Sequence, residues 1–233
     1  MLETKFRRKV LAFRIENNVC KPLKTNYVPR SPLDFPFRRL LKHVFDFTFS
    51  VAVLILLAPV FCFIAVLIKL DSTGPVFYCP LRVGRHGHLF KMYKFRSMRE
   101  CDTTFGGTQS TQENDSRISA VGKILRRYSL DELPQFINVL RGEMSVIGPR
   151  PHRKFLSDEM EKSVEKYAER QHVKPGITGW AQVNGWRGPT STLEQKVQRT
   201  EHDLWYIENW SFVLDLKIIY LTIFGKKTHF RVF

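Results

Sequence analysis

The stretch FTFSVAVLILLAPVFCFIAVLI, residues 47–68, runs between Asp46 and Lys69 for 22 residues without a charged side chain. As a helix it is long enough to cross a hydrocarbon core of about 30 Å. It lies too far from Met1, and lacks a following small-residue cleavage site, to be a signal peptide. Pro59 sits inside it, where a proline removes a backbone hydrogen bond and crowds the preceding turn, so a kink is expected there. Both flanks are basic. Residues 1–43 hold eleven Lys/Arg against three Asp/Glu, and the far side continues with Lys69, Arg82, Arg85, Lys91, Lys94 and Arg96. A spanning helix concentrates Lys/Arg on one side only. The symmetric charge therefore favours a hairpin that enters one leaflet and bends back at Pro59, with a kinked spanning helix as the alternative.

The whole chain has 233 residues, 37 Lys+Arg and 22 Asp+Glu, for a formal charge of +15. With 43% hydrophobic and 25% charged residues, a disordered or low-complexity chain is excluded. A mean hydropathy of -0.22 excludes a polytopic membrane protein. The charge excess calls for a polyanionic partner: nucleic acid, an anionic membrane surface or a phosphorylated substrate. Cys20, Cys62, Cys79 and Cys101 form no C-x-x-C pair and read as free thiols.

Beyond the apolar stretch the pattern alternates between short strands and amphipathic helices. Residues 90–98 alternate as one strand, with Lys94 and Arg96 on a shared face. Residues 76–78 and 81–83 form a preceding strand closed by a turn at Gly84–Gly87. Residues 101–116 are polar and Gly-containing, hence a mobile loop. A short helical piece at 124–128 comes next. Leu133, Phe136, Ile137 and Leu140 recur at helical spacing up to Gly142. Further helices are expected around Leu156 to Ala168 and Leu193 to Ile207. Residues 212–224 are apolar apart from Asp215 and Lys217, stop at Gly225-Lys226-Lys227, and suit either a membrane interface or the core. The fold class is α/β, mostly helical with a small sheet.

Ser129-Leu130-Asp131-Glu132-Leu133-Pro134 opens the 133–140 helix. S-x-x-E reads first as a capping box, with acidic residues favoured in a first turn. The same placement keeps a carboxylate ionised, fit to attack phosphorus or bind Mg²⁺, beside free N–H groups able to hold phosphate oxygens. Arg150, between Pro149 and Pro151, presents its guanidinium in a narrow range of directions, as a phosphate clamp requires. Lys94 and Arg96 make a second basic pair. His86-x-His88 has no third ligand and is not read as a metal site. No G-x-x-x-x-G-K-[ST], G-x-S-x-G or G-x-G-x-x-G motif occurs.

These blocks together resemble the bacterial sugar transferase family, the monotopic polyprenyl-phosphate hexose-1-phosphate transferases. The matching stretches are LDSTGPVF (70–77), RVGR (82–85), YKFRSM (93–98), SLDELPQ (129–135), SVIGPRP (145–151), KPGITGWAQVN (174–184) and DLKI (215–218). The resemblance implies a basic irregular arm over 1–37, a re-entrant helix broken at Pro59 over 38–70, and a cytoplasmic catalytic domain with interfacial helices over 71–233. It implies transfer of hexose 1-phosphate from a UDP-sugar to undecaprenyl phosphate at the bacterial inner membrane, with release of UMP, as the first membrane step of exopolysaccharide or O-antigen synthesis. Asp131 would be the nucleophile, Glu132 would help hold Mg²⁺, and Lys94, Arg96 and Arg150 would bind substrate phosphates. The segment VNGWRG (183–188) resembles the glucose-1-phosphate subgroup and points to UDP-glucose. Ala58, Cys79-Pro80-Leu81, Pro189 and Ser191 depart from the family pattern. No nucleic acid is expected as a partner, the bilayer is, and a homodimer stays open. The rival is a membrane-anchored basic adaptor, for which Asp131→Asn would be harmless.

Overall fold

The computed structural model describes residues 29–99, 115–188 and 190–225. Most of the basic arm, the polar loop up to residue 114, Pro189, the lysines after Gly225, Cys20 and Cys101 lie outside the described residues.

The apolar stretch folds as a bent helix pair. Helix α1 (Pro36–Leu56) and helix α2 (Ala58–Asp71) meet at Leu57 with a bend of 61°. Pro59 falls in the first turn of α2, where no backbone hydrogen bond is lost by its missing N–H, so it ends one helix and starts the next. Among the described residues no single helix is long and apolar enough to cross a membrane; the pair passes that test only jointly. Its outer surface displays Leu40, Val44, Phe47, Ile55, Leu56, Val60, Phe63, Val66 and Leu70.

Among the described residues the strand segments form three two-stranded pairs, not one sheet. Strand β1 (Phe77–Tyr78) pairs with β4 (Lys94–Phe95), and β2 (Leu81–Val83) with β3 (Leu89–Lys91), both antiparallel. The single strand expected over 90–98 is thus broken at Met92-Tyr93. Asn138 explains the break: its side chain accepts the Tyr93 N–H at 2.8 Å and donates to the Lys91 carbonyl at 2.7 Å. Strand β5 (Ser145–Ile147) runs parallel to β6 (Gly176–Thr178), with Ser145 opposite Gly176. The parallel backbones continue into close contact past β5, since a Cβ on Gly176 would come within 2.0 Å of the Gly148 nitrogen.

Helices α3 (Ala120–Arg127), α4 (Gln135–Leu140), α5 (Lys154–Ser163), α6 (Trp180–Val183), α7 (Leu193–Glu208) and α8 (Phe212–Phe224) complete the fold. The helix expected through Ala168 stops at Ser163, because Lys166 takes a left-handed conformation (φ 60°) before a 3-10 segment, Tyr167–His172. The main core joins Phe136, Val139, Val146, Ile147, Tyr206 and Ile218 to Phe45, Phe49, Val53 and Leu54 of α1. A second cluster joins Ile64 and Ile68 of α2 to Phe95 and Leu125. Helix α8 is both core and surface. Asp215 and Ile218 are buried, while Val213, Leu216, Tyr220, Ile223 and Phe224 point outward.

One buried polar node ties α1, α7 and α8. Asp215, 0% exposed, accepts from Lys42 Nζ at 2.8 Å, Trp210 Nε1 at 3.0 Å and the Tyr206 hydroxyl at 2.7 Å. One turn along α1, Asp46 Oδ1 accepts the Val146 N–H of β5 at 3.0 Å. A buried carboxylate so fully paired avoids the cost of an uncompensated charge.

Candidate active site

Asp131 and Glu132 lie in a 3-10 turn, Leu130–Glu132, between α3 and α4. The capping-box reading does not hold. Ser129 is left-handed (φ 57°) and caps nothing; its hydroxyl instead accepts a hydrogen bond from Arg187 Nη2 at 2.8 Å. Several of the N–H groups around this turn, where phosphate binding is expected, are already taken. Those of Glu132, Leu133, Phe136 and Ile137 donate to carbonyls three residues back. The left-handed serine, costly for a residue with a Cβ, reverses the chain after α3 and directs both carboxylates toward β4 and the loop after β5. Leu130 packs on the cluster that holds Ile64 and Ile68, and Leu133 on the cluster that holds Phe49 and Val53. The two acids are therefore seated between both arms of the bent helix pair.

The pair is surrounded by cations from separate elements. Lys94 of β4 reaches Glu132 Oε1 at 2.9 Å and Asp131 Oδ2 at 3.9 Å. Arg150 grips Glu132 with both arms, Nη2 to Oε1 at 2.6 Å and Nη1 to Oε2 at 3.2 Å. Arg187 Nη2 stands 3.9 Å from Glu132 Oε2. Arg126, at the end of α3, feels the Asp131 charge, and Arg82 that of Glu132. Burial acts to raise the Glu132 carboxyl, but Arg150 and Lys94 outweigh it and hold it well below the usual carboxylate range. Burial raises the Asp131 carboxyl, with Lys94 opposing and Glu132 reinforcing. Burial also lowers Arg82 to about 10, helped by Arg153.

The neighbours thus differ in commitment. Glu132 accepts three hydrogen bonds. Among the described residues the Asp131 carboxylate accepts no hydrogen bond and has only the longer ion pair with Lys94 at 3.9 Å. In its ionised form, a carboxylate with no hydrogen-bond donor of its own and facing a cluster of cations can attack an electrophile whose own negative charge those cations receive.

Of the residues expected to meet phosphate, Lys94 and Arg150 are brought to the acids. Arg96 is not. Its guanidinium, 4% exposed, donates to the Thr73 carbonyl at 2.6 Å and the Ser72 carbonyl at 2.7 Å, closing the end of α2. The residue after Lys94 on the same face is taken by the helix end because β4 stops at Phe95. Arg187, Arg126 and Ser129 are the additions. Arg187 carried one signal, a cation inside the glycine-containing stretch VNGWRG, but only the fold shows that this stretch returns to residue 129. For a metal the donor set is sparse: among the described residues no three His, Cys, Asp or Glu side chains group together. Two adjacent carboxylates suit Mg²⁺ only when phosphate oxygens and waters complete its six ligands, and Glu132, whose Oε1 is taken by Lys94 and Arg150, would offer the remaining lone pair of Oε2.

The chain is similar in sequence to several curated proteins. The UDP-glucose:undecaprenyl-phosphate glucose-1-phosphate transferase of Escherichia coli K12 is 50% identical over 203 residues, covering 85% of this chain and 44% of that protein. The exopolysaccharide production protein PSS of Rhizobium leguminosarum bv. phaseoli is 44% identical over 83% of this chain and 98% of its own length. A UDP-N-acetylgalactosamine-undecaprenyl-phosphate N-acetylgalactosaminephosphotransferase of Aeromonas hydrophila is 41% identical over 83% of this chain and 45% of its length. The chain spans less than half the length of several of these curated relatives. The sequence profile described as Bacterial sugar transferase matches residues 37–228, taking in nearly all of the bent helix pair and every side chain of the acidic-basic cluster, so the chain belongs to the bacterial sugar transferase family.

Proposed function

We propose that this protein transfers a hexose 1-phosphate, glucose 1-phosphate first among the candidates, from a UDP-sugar to undecaprenyl phosphate. A carboxylate oxygen of Asp131 attacks the sugar-bearing phosphorus, the bond from that phosphorus to the bridging oxygen breaks, and UMP leaves with the electron pair. A phosphate oxygen of the lipid then attacks the same phosphorus and returns Asp131 as a free carboxylate. The observation that carries this reading is the contrast between the uncommitted Asp131 and the triply bonded Glu132 beside it. Lys94, Arg150 and Arg187 would receive the transferring charge, a task of positioning and electrostatics. Arg96 has a different part, holding the exit of α2. A Mg²⁺ arriving with the diphosphate would neutralise charge on the leaving group, and Glu132 is its expected protein ligand.

The bent helix pair is read as a re-entrant hairpin at the inner face of the bacterial membrane. Its 61° bend, its outward apolar side chains and the outward face of α8 support that placement. Lipid phosphate would then approach a site packed directly against the hairpin. The relatives named for glucose and the VNGWRG segment favour UDP-glucose.

The test is UMP release from a panel of UDP-sugars with undecaprenyl phosphate and Mg²⁺, in lipid, for the wild type and Asp131→Asn. UMP from one sugar, absent in a folded Asp131→Asn protein, is expected, together with a wild-type adduct heavier by one hexose phosphate. No UMP from any sugar would sink the reading.

A further inference from the structure

Behind Arg150 and Arg187, on the side away from the carboxylates, lies a closed polar cluster: Arg170 is 5% exposed, Arg199 6%, Asp203 2% and His152 5%. Arg170 pairs with Asp203 through Nε at 3.1 Å and Nη2 at 2.6 Å, and the same Nη2 donates to the Arg150 carbonyl at 2.8 Å. Arg199 donates from Nε to the Trp186 carbonyl at 2.9 Å and from Nη2 to the Gly188 carbonyl, the two carbonyls that flank Arg187. His152 stands between them, with Arg170 Nη1 3.2 Å from Nδ1 and Arg199 Nη1 3.5 Å from Nε2. Neither arginine makes a described contact with Asp131, Glu132 or Lys94. Arg170 grips the backbone carbonyl of Arg150, and Arg199 the carbonyls on either side of Arg187.

We propose that Arg170 and Arg199 are positioning residues for phosphoryl transfer, Arg170 setting Arg150 and Arg199 setting Arg187, with Asp203 as the buried counter-ion. The geometry requires arginine. A planar fork can bind a carboxylate and a carbonyl at once, or two carbonyls two residues apart, whereas an ammonium is a single point charge. Two independent grips on two loops give each phosphate-facing guanidinium a fixed base. The side chains alone would not, since Arg187 otherwise hangs on a glycine-flanked turn. This inference rests on the transferase reading.

The experiment measures single-turnover UMP release from the UDP-sugar without lipid acceptor. Its amplitude counts competent sites, and its rate constant reads the geometry of each. Arg170→Lys and Arg199→Lys, which keep the charge near Asp203, are placed in wild-type, Arg150→Lys and Arg187→Lys backgrounds. Arg170→Lys is expected to slow the rate per site by about tenfold or more, but by less than about twofold once Arg150 is lysine, and by its full factor when Arg187 is lysine. Arg199→Lys is expected to show the mirror pattern. A merely structural role would lower amplitude and leave the rate per site unchanged, or give the same factor in every background; either result overturns the proposal. Should one variant lose all amplitude, the other carries the test on its own arm. Absence of UMP from the wild type would instead overturn the transferase reading itself, which separates the two failures.

Discussion

Glu132 shows how a single side chain can serve a site without reacting. Its charge balances Lys94 and Arg150 where both are mostly withdrawn from water. Glu132→Gln keeps the shape and removes the balance. A loss of stability on the order of 3 kcal/mol is expected, together with a steep fall in turnover, checked by denaturant unfolding in detergent beside the UMP assay. His152 gives the acid dependence. The His152 Nδ1 lies 2.7 Å from the Tyr167 hydroxyl, which itself accepts from Arg170 Nη1. Burial lowers the His152 pKa well below 6.5, and Arg170, Arg199, Arg150 and Arg82 add to the effect. The unfolded chain therefore takes up the histidine proton at a higher pH than the folded one. The stability it contributes is complete above the ordinary histidine value and is lost as the pH falls below it. His152→Gln is expected to flatten the fall in unfolding midpoint between about pH 7.5 and about 5.5. At this scale the sequence was only half legible. Asp131, Glu132, Lys94 and Arg150 stood out by type and neighbours, but periodicity could not show Arg96 turned to carbonyls, and spacing could not bring Arg187 to Ser129 across the fold.

Among the elements, the parallel pair β5–β6 carries the tightest demand. Cβ atoms on Gly176 and Gly179 would come within 2.0 Å and 2.2 Å of Gly148 backbone atoms. These glycines let two chains touch just before Arg150 leaves the strand. Gly176→Ala is expected to cost at least about 2 kcal/mol and to lower activity with it, measured by thermal unfolding and UMP release. Helix periods and the Pro59 break were readable because burial on one face and a missing N–H are local facts. Strand ends were not: Asn138, 45 residues away in sequence, divides what alternation presents as one strand. The capping box failed for a related reason, since the left-handed turn at Ser129 answers to packing on α2 and not to its own four residues.

At the scale of the whole molecule, the bent helix pair and the rest of the described residues share one core. Phe45, Phe49, Val53 and Leu54 are part of the main core, and Lys42 and Asp46 are bound to Asp215 and Val146. A fragment beginning at residue 71 is expected not to fold, as judged by circular dichroism and protease resistance. Single cysteines at Arg38 and Ser72, in a chain without native cysteine, are expected to react with an impermeant maleimide from the same side of a sealed vesicle; labelling from opposite sides would replace the hairpin by a kinked span. The +15 charge announced an anionic partner from composition alone, but which anion is met depends on this joint architecture.

The bond between Lys42 and Asp215 closes 173 residues of chain. At ordinary rates of synthesis a ribosome needs on the order of ten seconds to travel that far. Until Phe136 and Val146 are made, the inward face of α1 lacks its main partners, while its apolar stretch is already made. Insertion is therefore expected to precede folding. The bilayer would act as the scaffold on which the rest of the protein assembles, and synthesis without lipid should yield aggregate even when every residue is present.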